Sequence, residues 1–416
     1  MPTYTQYFKV LCRNTFLVIE VCFDIFPNPD NLISFPENNR PEVIMSELQQ
    51  SSITVVCGLL VILLYLGLLL VEAGSVRSKN VSTVFTRGFA CFTISVVIFW
   101  VCGFSFAISP GHSFIGFHPD FFGLHSLPSN SSLDRFFLTA VVASLPSALS
   151  AGPVAERAHM SGQLVLTTLL TGILFPIPAH WVWADDGWLR VRGVKDTGGA
   201  LVVHAVGGVA GLVGSLLVGR RAEKISNPDA HIRGHSLPLV AVGGGLVVIG
   251  MVAKIVGLGG RDELRSIGTL ASNCLLAGSM GALVALHVFK FHQPRKSWDM
   301  SHIEEAQTGG SSNSQRRWSF LMALNGFQAG MVGVSGADGR FPSWAALLAG
   351  LASGVSYCLV QGIFSLCHLD DPVDGAATQL SGAAVGVLAA GLANLAYTGE
   401  GTQVLSKSST PTSNHY

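Results

Sequence analysis

Ten apolar stretches run through the chain, near residues 53–72, 88–108, 135–153, 161–183, 198–218, 237–258, 267–289, 318–335, 344–367 and 379–397. Polar segments separate them. A helix rises about 1.5 Å per residue, so roughly 20 apolar residues cross a bilayer core. The pattern therefore predicts about ten transmembrane helices and an all-α polytopic membrane protein. The third and the last stretches are the weakest, being short and rich in Ala, Ser or Gly. Ahead of them, residues 15–26 are apolar but broken by Glu20 and Asp24. That is poor for a signal segment and too short and charged for a span. Residues 1–52 are accordingly read as an extracytoplasmic N-terminal segment, 53–398 as the transmembrane domain, and 399–416 as a polar, Ser/Thr-bearing tail.

The fifth and tenth stretches each begin at an aspartate, Asp196 and Asp374, and continue through Gly/Ala-rich sequence. Five spans followed by five place the second half inverted relative to the first, and inverted repeats put a transport pathway at their interface. Two inverted five-helix repeats around a central pore are thus expected.

Composition strengthens the membrane assignment. Apolar residues make up 49% and charged residues 12%, with a formal net charge of zero; a soluble domain carries about twice that charged fraction. The balance gives no reason to expect a nucleic-acid partner, and there is no acidic tail. Lys and Arg favour cytoplasmic loops. With the N-terminus outside, thirteen fall in inner loops and eight in outer loops and the tail, which supports that orientation. The connection over residues 291–317 is then cytoplasmic. The Asn130-Ser-Ser sequon is external and open to glycosylation, whereas Asn80-Val-Ser is internal and silent. Six of the eight cysteines lie in or beside apolar stretches, where free Cys behaves as a small hydrophobe; Cys12 and Cys22 could pair outside the membrane. No CxxC or HxxxH spacing argues for a metal, and no cofactor is expected.

The stretch most charged with chemistry is residues 196–211, which opens on Asp196 and carries His204 inside a glycine-rich run. Eight residues separate the two, so they share roughly one helix face at different depths. An ionisable group at membrane depth is costly and by default marks a conduction path or proton relay. The plainer reading is a histidine hydrogen-bonded inside a helix bundle.

Several motifs now stand in order: residues 72–80 (Glu-Ala-Gly-Ser-Val-Arg-Ser-Lys-Asn), 155–157 (Ala-Glu-Arg), 178–183 (Pro-Ala-His-Trp-Val-Trp), 196–211, 333–350 with Pro-Ser-Trp-Ala-Ala, and 370–374 (Asp-Asp-Pro-Val-Asp). Over residues 53–398 the chain resembles the ammonium transporters, a family that includes methylammonium permeases and Rhesus proteins, and within it the ammonium-transporter branch. The resemblance implies a homotrimer in the lipid bilayer, in the plasma membrane, with one narrow pore per subunit. Ammonium would bind at an outer vestibule, lose its proton and pass as ammonia beside two histidines. A bare cation in a low-dielectric pore carries a desolvation cost that neutral ammonia escapes. Carried over by position, Trp183 offers its ring face to the cation, Asp196 supports that site, His204 is the first pore histidine, and Asp374 is structural. Read without the family, Trp183 is an interfacial belt tryptophan and Asp196 a helix N-cap.

The pore positions depart from the family pattern. The second histidine becomes Gln379, which can hydrogen-bond but cannot carry a proton. Of two stacked gate phenylalanines, the first becomes Val142 and the second Lys254. The serine that helps hold ammonium becomes Leu258, and the aromatic ahead of the gate becomes Met251. Lys254 admits three readings: a cation that repels ammonium by several kcal/mol where water does not screen it, a lysine snorkelling to the outer surface, or a neutral desolvated amine. The family's last long helix also has no counterpart, because no eleventh apolar span follows Tyr397. Two functions follow: an ammonium transporter altered at its gate, or a non-transporting relative acting as sensor or regulatory subunit. An enzyme is not expected. His180 lies near Trp183, but no paired carboxylates, nucleophile elbow, P-loop or metal cluster accompanies it.

Overall fold

A computed structural model describes residues 41–125, 130–227, 232–259, 267–292, 319–337 and 341–408. The chain divides into Met1–Gln49 and Gln50–Tyr416, and, apart from residues 41–49 of the first helix, the architecture below is that of the second unit. Over its described residues, every apolar stretch read from the sequence is mostly helical. The membrane helices are α1 (Pro41–Ser75), α2 (Val81–Ile98), α3 (Asn130–Ala151), α4 (Met160–Leu169), α5 (Val206–Val218), α6 (Leu237–Gly259), α7 (Ile267–His292), α8 (Phe320–Ser335), α9 (Ser343–Leu366) and α10 (Gly375–Ser408). Among the described residues, nine helical stretches are long and apolar enough to cross a membrane, and α8 is shorter. The first helix begins at Pro41, ahead of the apolar run, and the last continues through the start of the polar tail to Ser408. Cys12, Cys22 and nearly all of the 291–317 connection lie outside the described residues, as does the Asn130 side chain.

Three π-helical turns interrupt the regular pitch: Phe99–Gly103 after α2, Leu170–Leu174 after α4, and Ala200–Ala205 ahead of α5. Such turns cluster where a helix must aim a side chain for function. The third one carries His204.

Small residues set the helix crossings, as they do where membrane helices approach closely. A β-carbon at Gly243 would lie 2.7 Å from the Gly67 carbonyl oxygen, and one at Gly67 would lie 2.7 Å from that of Gly243. No larger residue fits either position, and the crossing fixes α6 against α1. Helix α6 carries Lys254 and Met251.

At one end of the bundle the loops are tied together by charge. Glu156 accepts hydrogen bonds from the Arg77 backbone N–H (3.0 Å), Arg77 Nε (2.9 Å), Asn80 Nδ2 (2.6 Å) and Arg221 Nη1 (2.9 Å). Asp370 is held by Arg157 (3.0 Å), Arg221 (2.8 Å) and Lys224 (2.9 Å). Four interhelical connections therefore meet in one cluster, which joins three of the sequence motifs, 72–80, 155–157 and 370–374. Burial by itself would raise Glu156, but the Arg77 and Arg221 hydrogen bonds outweigh it and hold the carboxyl down at about 2. Asp370 is likewise held well below the usual carboxylate range by Arg221 and Lys224 against its burial.

A carboxyl whose pKa is lower in the folded than in the unfolded chain stabilises the fold above the ordinary carboxylate value and loses that contribution as pH falls. Thermal unfolding in detergent should therefore be flat near neutrality and fall off below about pH 4.5, the ordinary carboxylate range, toward the 2 of Glu156. Asp370→Asn, which leaves buried Arg221 and Arg157 short of a partner, should cost about 3–5 kcal/mol at neutral pH. A melting curve unchanged by the substitution would remove the cluster from the account of stability.

Candidate functional site: a vestibule, a histidine and a buried amine

On the opposite face, which the charge bias reads as the outer one, a cavity of about 320 Å³ opens between the ends of the helices. Its walls include Ile108, Leu138, Val182, Trp183, Asp196, Thr197 and Leu258. Arg135, Arg190, Lys195 and Asp185 also line it, and Arg190 pairs with Asp185 at 3.2 Å. Among the described lining residues, basic groups outnumber carboxylates.

Trp183 and Asp196 form one unit. The Trp183 indole N–H donates to the Asp196 carbonyl oxygen at 2.7 Å, and the ring meets Phe175 edge-on at 6.0 Å. A short antiparallel hairpin, Gly111–His112 with Ile115–Gly116, braces the end of the chain segment that bears Trp183. Trp181 Nε1 donates to the Phe114 carbonyl at 3.0 Å, and the Gly111 N–H donates to Asp186 at 2.8 Å. Nothing in the hydrophobic pattern announces this hairpin, because its strands are two residues long.

The Asp196 carboxylate points into the protein. It accepts from the backbone N–H groups of Ala200 (2.6 Å), Leu201 (2.8 Å) and Val202 (3.1 Å). These are the orphan donors at the start of the helix that carries His204, so the side chain caps that helix. Between cap and helix the chain turns through Gly199 at φ +82°, a conformation that glycine adopts without strain. The turn also aims the Gly198 carbonyl at the Lys254 amine.

His204 is buried. Its Nδ1 lies 2.6 Å from Gln379 Oε1, and its Nε2 lies 2.5 Å from Lys254 Nζ. Lys254 Nζ also donates to the Gly198 carbonyl oxygen at 2.7 Å. The lysine has no exposed surface at all. The snorkelling reading of Lys254 is therefore overturned. The long stem carries the amine inward from α6, where a carbonyl and an imidazole satisfy it, so it does not need water. An amide oxygen accepts only, so with Gln379 Oε1 facing it, His204 carries its proton on Nδ1. Nε2 then offers its lone pair to the lysine.

Below this contact lies a second, minute cavity of about 10 Å³, lined by His204, Met251, Gln379, Gln328 and six aliphatic residues, Leu64, Leu145 and Val332 among them. A third, of about 40 Å³, continues past Gln328, Gln379, Thr378 and Asn325 toward Glu72, which is ion-paired with Arg87. Lys254 lines none of the three. Val142 lines none either; it is wholly buried in the apolar core.

Asp374 lies off this axis. Its Oδ2 accepts from the Tyr357 hydroxyl at 3.3 Å, and its backbone is left-handed at φ +53°. Burial, and then the charge of Asp371, push its carboxyl up to about 8. The pairing of Asp196 with Asp374 as equivalent repeat positions needs correction. The side chain that caps α10 is Asp371, which accepts from Val373 N at 3.2 Å and Ala376 N at 2.8 Å. Counting from the caps, His204 is eight residues after Asp196 and Gln379 is eight after Asp371. The equal spacing was present in the sequence, but only the capping bonds tell which of three aspartates to count from.

The fold and site together define a membrane-spanning helical protein with cavities of about 320, 40 and 10 Å³, the smallest of them lined by a buried histidine. Residues 52–311 and 306–413 match the Ammonium Transporter Family, and the chain belongs to that family. Similar proteins include "Ammonium transporter 1 member 2" of Oryza sativa subsp. japonica, 29% identical over 74% of this chain and 62% of the relative. "Ammonium transporter 1 member 3" of Solanum lycopersicum is 28% identical over 80% of this chain and 72% of the relative. The chain thus spans 62% of the length of the rice relative. Among solved structures, a "Sensor Amt Protein" superposes with a TM-score of 0.71 at 25% identity, covering 83% of each chain. Saccharomyces cerevisiae Mep2 gives 0.66 at 24% identity, over 82% of this chain and 72% of Mep2. That second likeness bears on the fold alone.

Asp196→Ala removes the acceptor for three helix donors. Loss of such a cap costs about 0.5–2 kcal/mol, so the purified variant should melt earlier than Asp196→Asn, which keeps an acceptor. Equal melting temperatures for the two would show that the carboxylate does not hold the helix in place.

Proposed function

We propose that the chain recognises ammonium at the outer vestibule and passes it across the plasma membrane as neutral ammonia along His204. The observation that carries this reading is the continuity of Trp183, Asp196 and His204: the indole bonds the aspartate backbone, and the aspartate caps the helix that presents the imidazole. Trp183 supplies a ring face to a cation and Asp196 a nearby negative charge. Leu258 in the vestibule wall and Met251 in the lower cavity make the route apolar, which favours a species without charge. Gln379 fixes the imidazole tautomer but cannot take a proton from it, so passage is electrically silent. Assembly as a homotrimer belongs to the same reading, by family likeness.

A second reading, a non-transporting sensor or regulatory subunit, is favoured by one feature: Lys254 Nζ sits on the histidine nitrogen that the substrate would meet.

In cells lacking their own permeases, the chain should take up labelled methylammonium slowly but above vector, and His204→Leu should abolish that uptake. Absence of uptake with surface expression demonstrated would favour the sensor reading. Under voltage clamp, ammonium should evoke no current that scales with flux. Proportional charge movement would overturn neutral passage.

A further inference from the structure

The geometry points to Lys254 as a tethered amine that occupies the ammonia position on His204 and shuts the route. This inference rests on the reading of the vestibule and His204 as that route. Three observations converge on it. The lysine amine donates to two acceptors, the Gly198 carbonyl oxygen and His204 Nε2. On the proposed route, a small amine leaving the vestibule, whose wall includes Asp196 and Thr197, meets the same acceptors. Gln379 Oε1 leaves Nε2 as an acceptor and thereby tunes the imidazole to receive an N–H donor. Finally, the amine bridges a carbonyl next to Thr197, in the wall of the 320 Å³ cavity, and His204, in the wall of the 10 Å³ cavity, so its side chain lies between the two.

The chemistry is that of self-occupancy. A primary alkylamine and methylammonium present the same donor group, so what satisfies one satisfies the other. A tethered group competes at an effective concentration set by its stem. The lower cavity, of about 10 Å³, is at the limit of what admits one water-sized molecule. Removal of the amine leaves the Gly198 carbonyl and His204 Nε2 unsatisfied and facing a new space. A small amine from the vestibule can fill it.

The test pairs flux with binding. Lys254→Ala and Lys254→Met remove the amine, the second while keeping an unbranched apolar stem. Both should raise methylammonium uptake at least tenfold over the unaltered chain at equal surface expression. By calorimetry on purified protein, methylammonium should bind Lys254→Ala measurably and the unaltered chain far more weakly, and His204→Leu added to Lys254→Ala should erase the gain. Equal uptake by the unaltered chain and both variants, with His204→Leu still abolishing it, would keep the route and overturn the plug. A binding gain without any flux would keep the plug and overturn transport. If neither flux nor binding changes in a variant that melts normally, the plug falls together with the route.

Discussion

The imidazole of His204, held from both sides, is the contact on which the rest of the axis depends. A polar group buried without a partner costs several kcal/mol, and here three such groups, an imidazole, an amide and an amine, are brought together in the apolar interior. Each satisfies another: Gln379 accepts from Nδ1, and Nε2 and the Gly198 carbonyl accept from Lys254. Such networks hold their members firmly only when complete. Replacing any one member leaves the others short, so the tautomer, the lysine position and the glutamine rotamer are a single structural decision.

That decision is imposed by the scaffold around it. Asp196 caps the helix of His204, Asp371 caps the helix of Gln379, and the equal eight-residue spacing brings the two side chains to the same depth from opposite halves. The close crossing at Gly67 and Gly243 then sets where α6 can deliver Lys254. At the other end of the bundle, Glu156 and Asp370 collect arginines from several loops. That cluster fixes the helix ends without touching the axis. On the proposed reading, the fold thus separates the work of holding helices together from the work of meeting a substrate.

Much of this was legible in the chain itself. Apolar run length gives the helices, because a bilayer span demands a nearly fixed count of residues. The Asp196-to-His204 spacing places both on one segment. The destination of Lys254 was not legible. A lysine near a helix end can reach water or turn inward with the same stem, and the choice depends on acceptors supplied by residues 50 and more positions away. The same limit applied to the repeat. Asp370, Asp371 and Asp374 are three carboxylates within five residues, with three different employments: an ion cluster, a helix cap and a tyrosine hydroxyl. Sequence spacing alone had no means of assigning them.

On the proposed route, Lys254 changes what kind of barrier the axis presents. A hydrophobic constriction opposes a cation through desolvation, a cost that a neutral substrate never meets. The amine of Lys254 opposes both forms, the cation by like charge whenever it is protonated, and the neutral molecule by already holding its two acceptors. Free substrate competes with a tethered group whose effective concentration the medium cannot alter, so occupancy by ammonia alone is a weak means of opening. Opening instead requires that α6 or the Gly198 carbonyl move relative to the other. Because Gly199 turns through a left-handed backbone conformation next to that carbonyl, the segment between Asp196 and the π-turn of His204 is where such a movement would have to be absorbed.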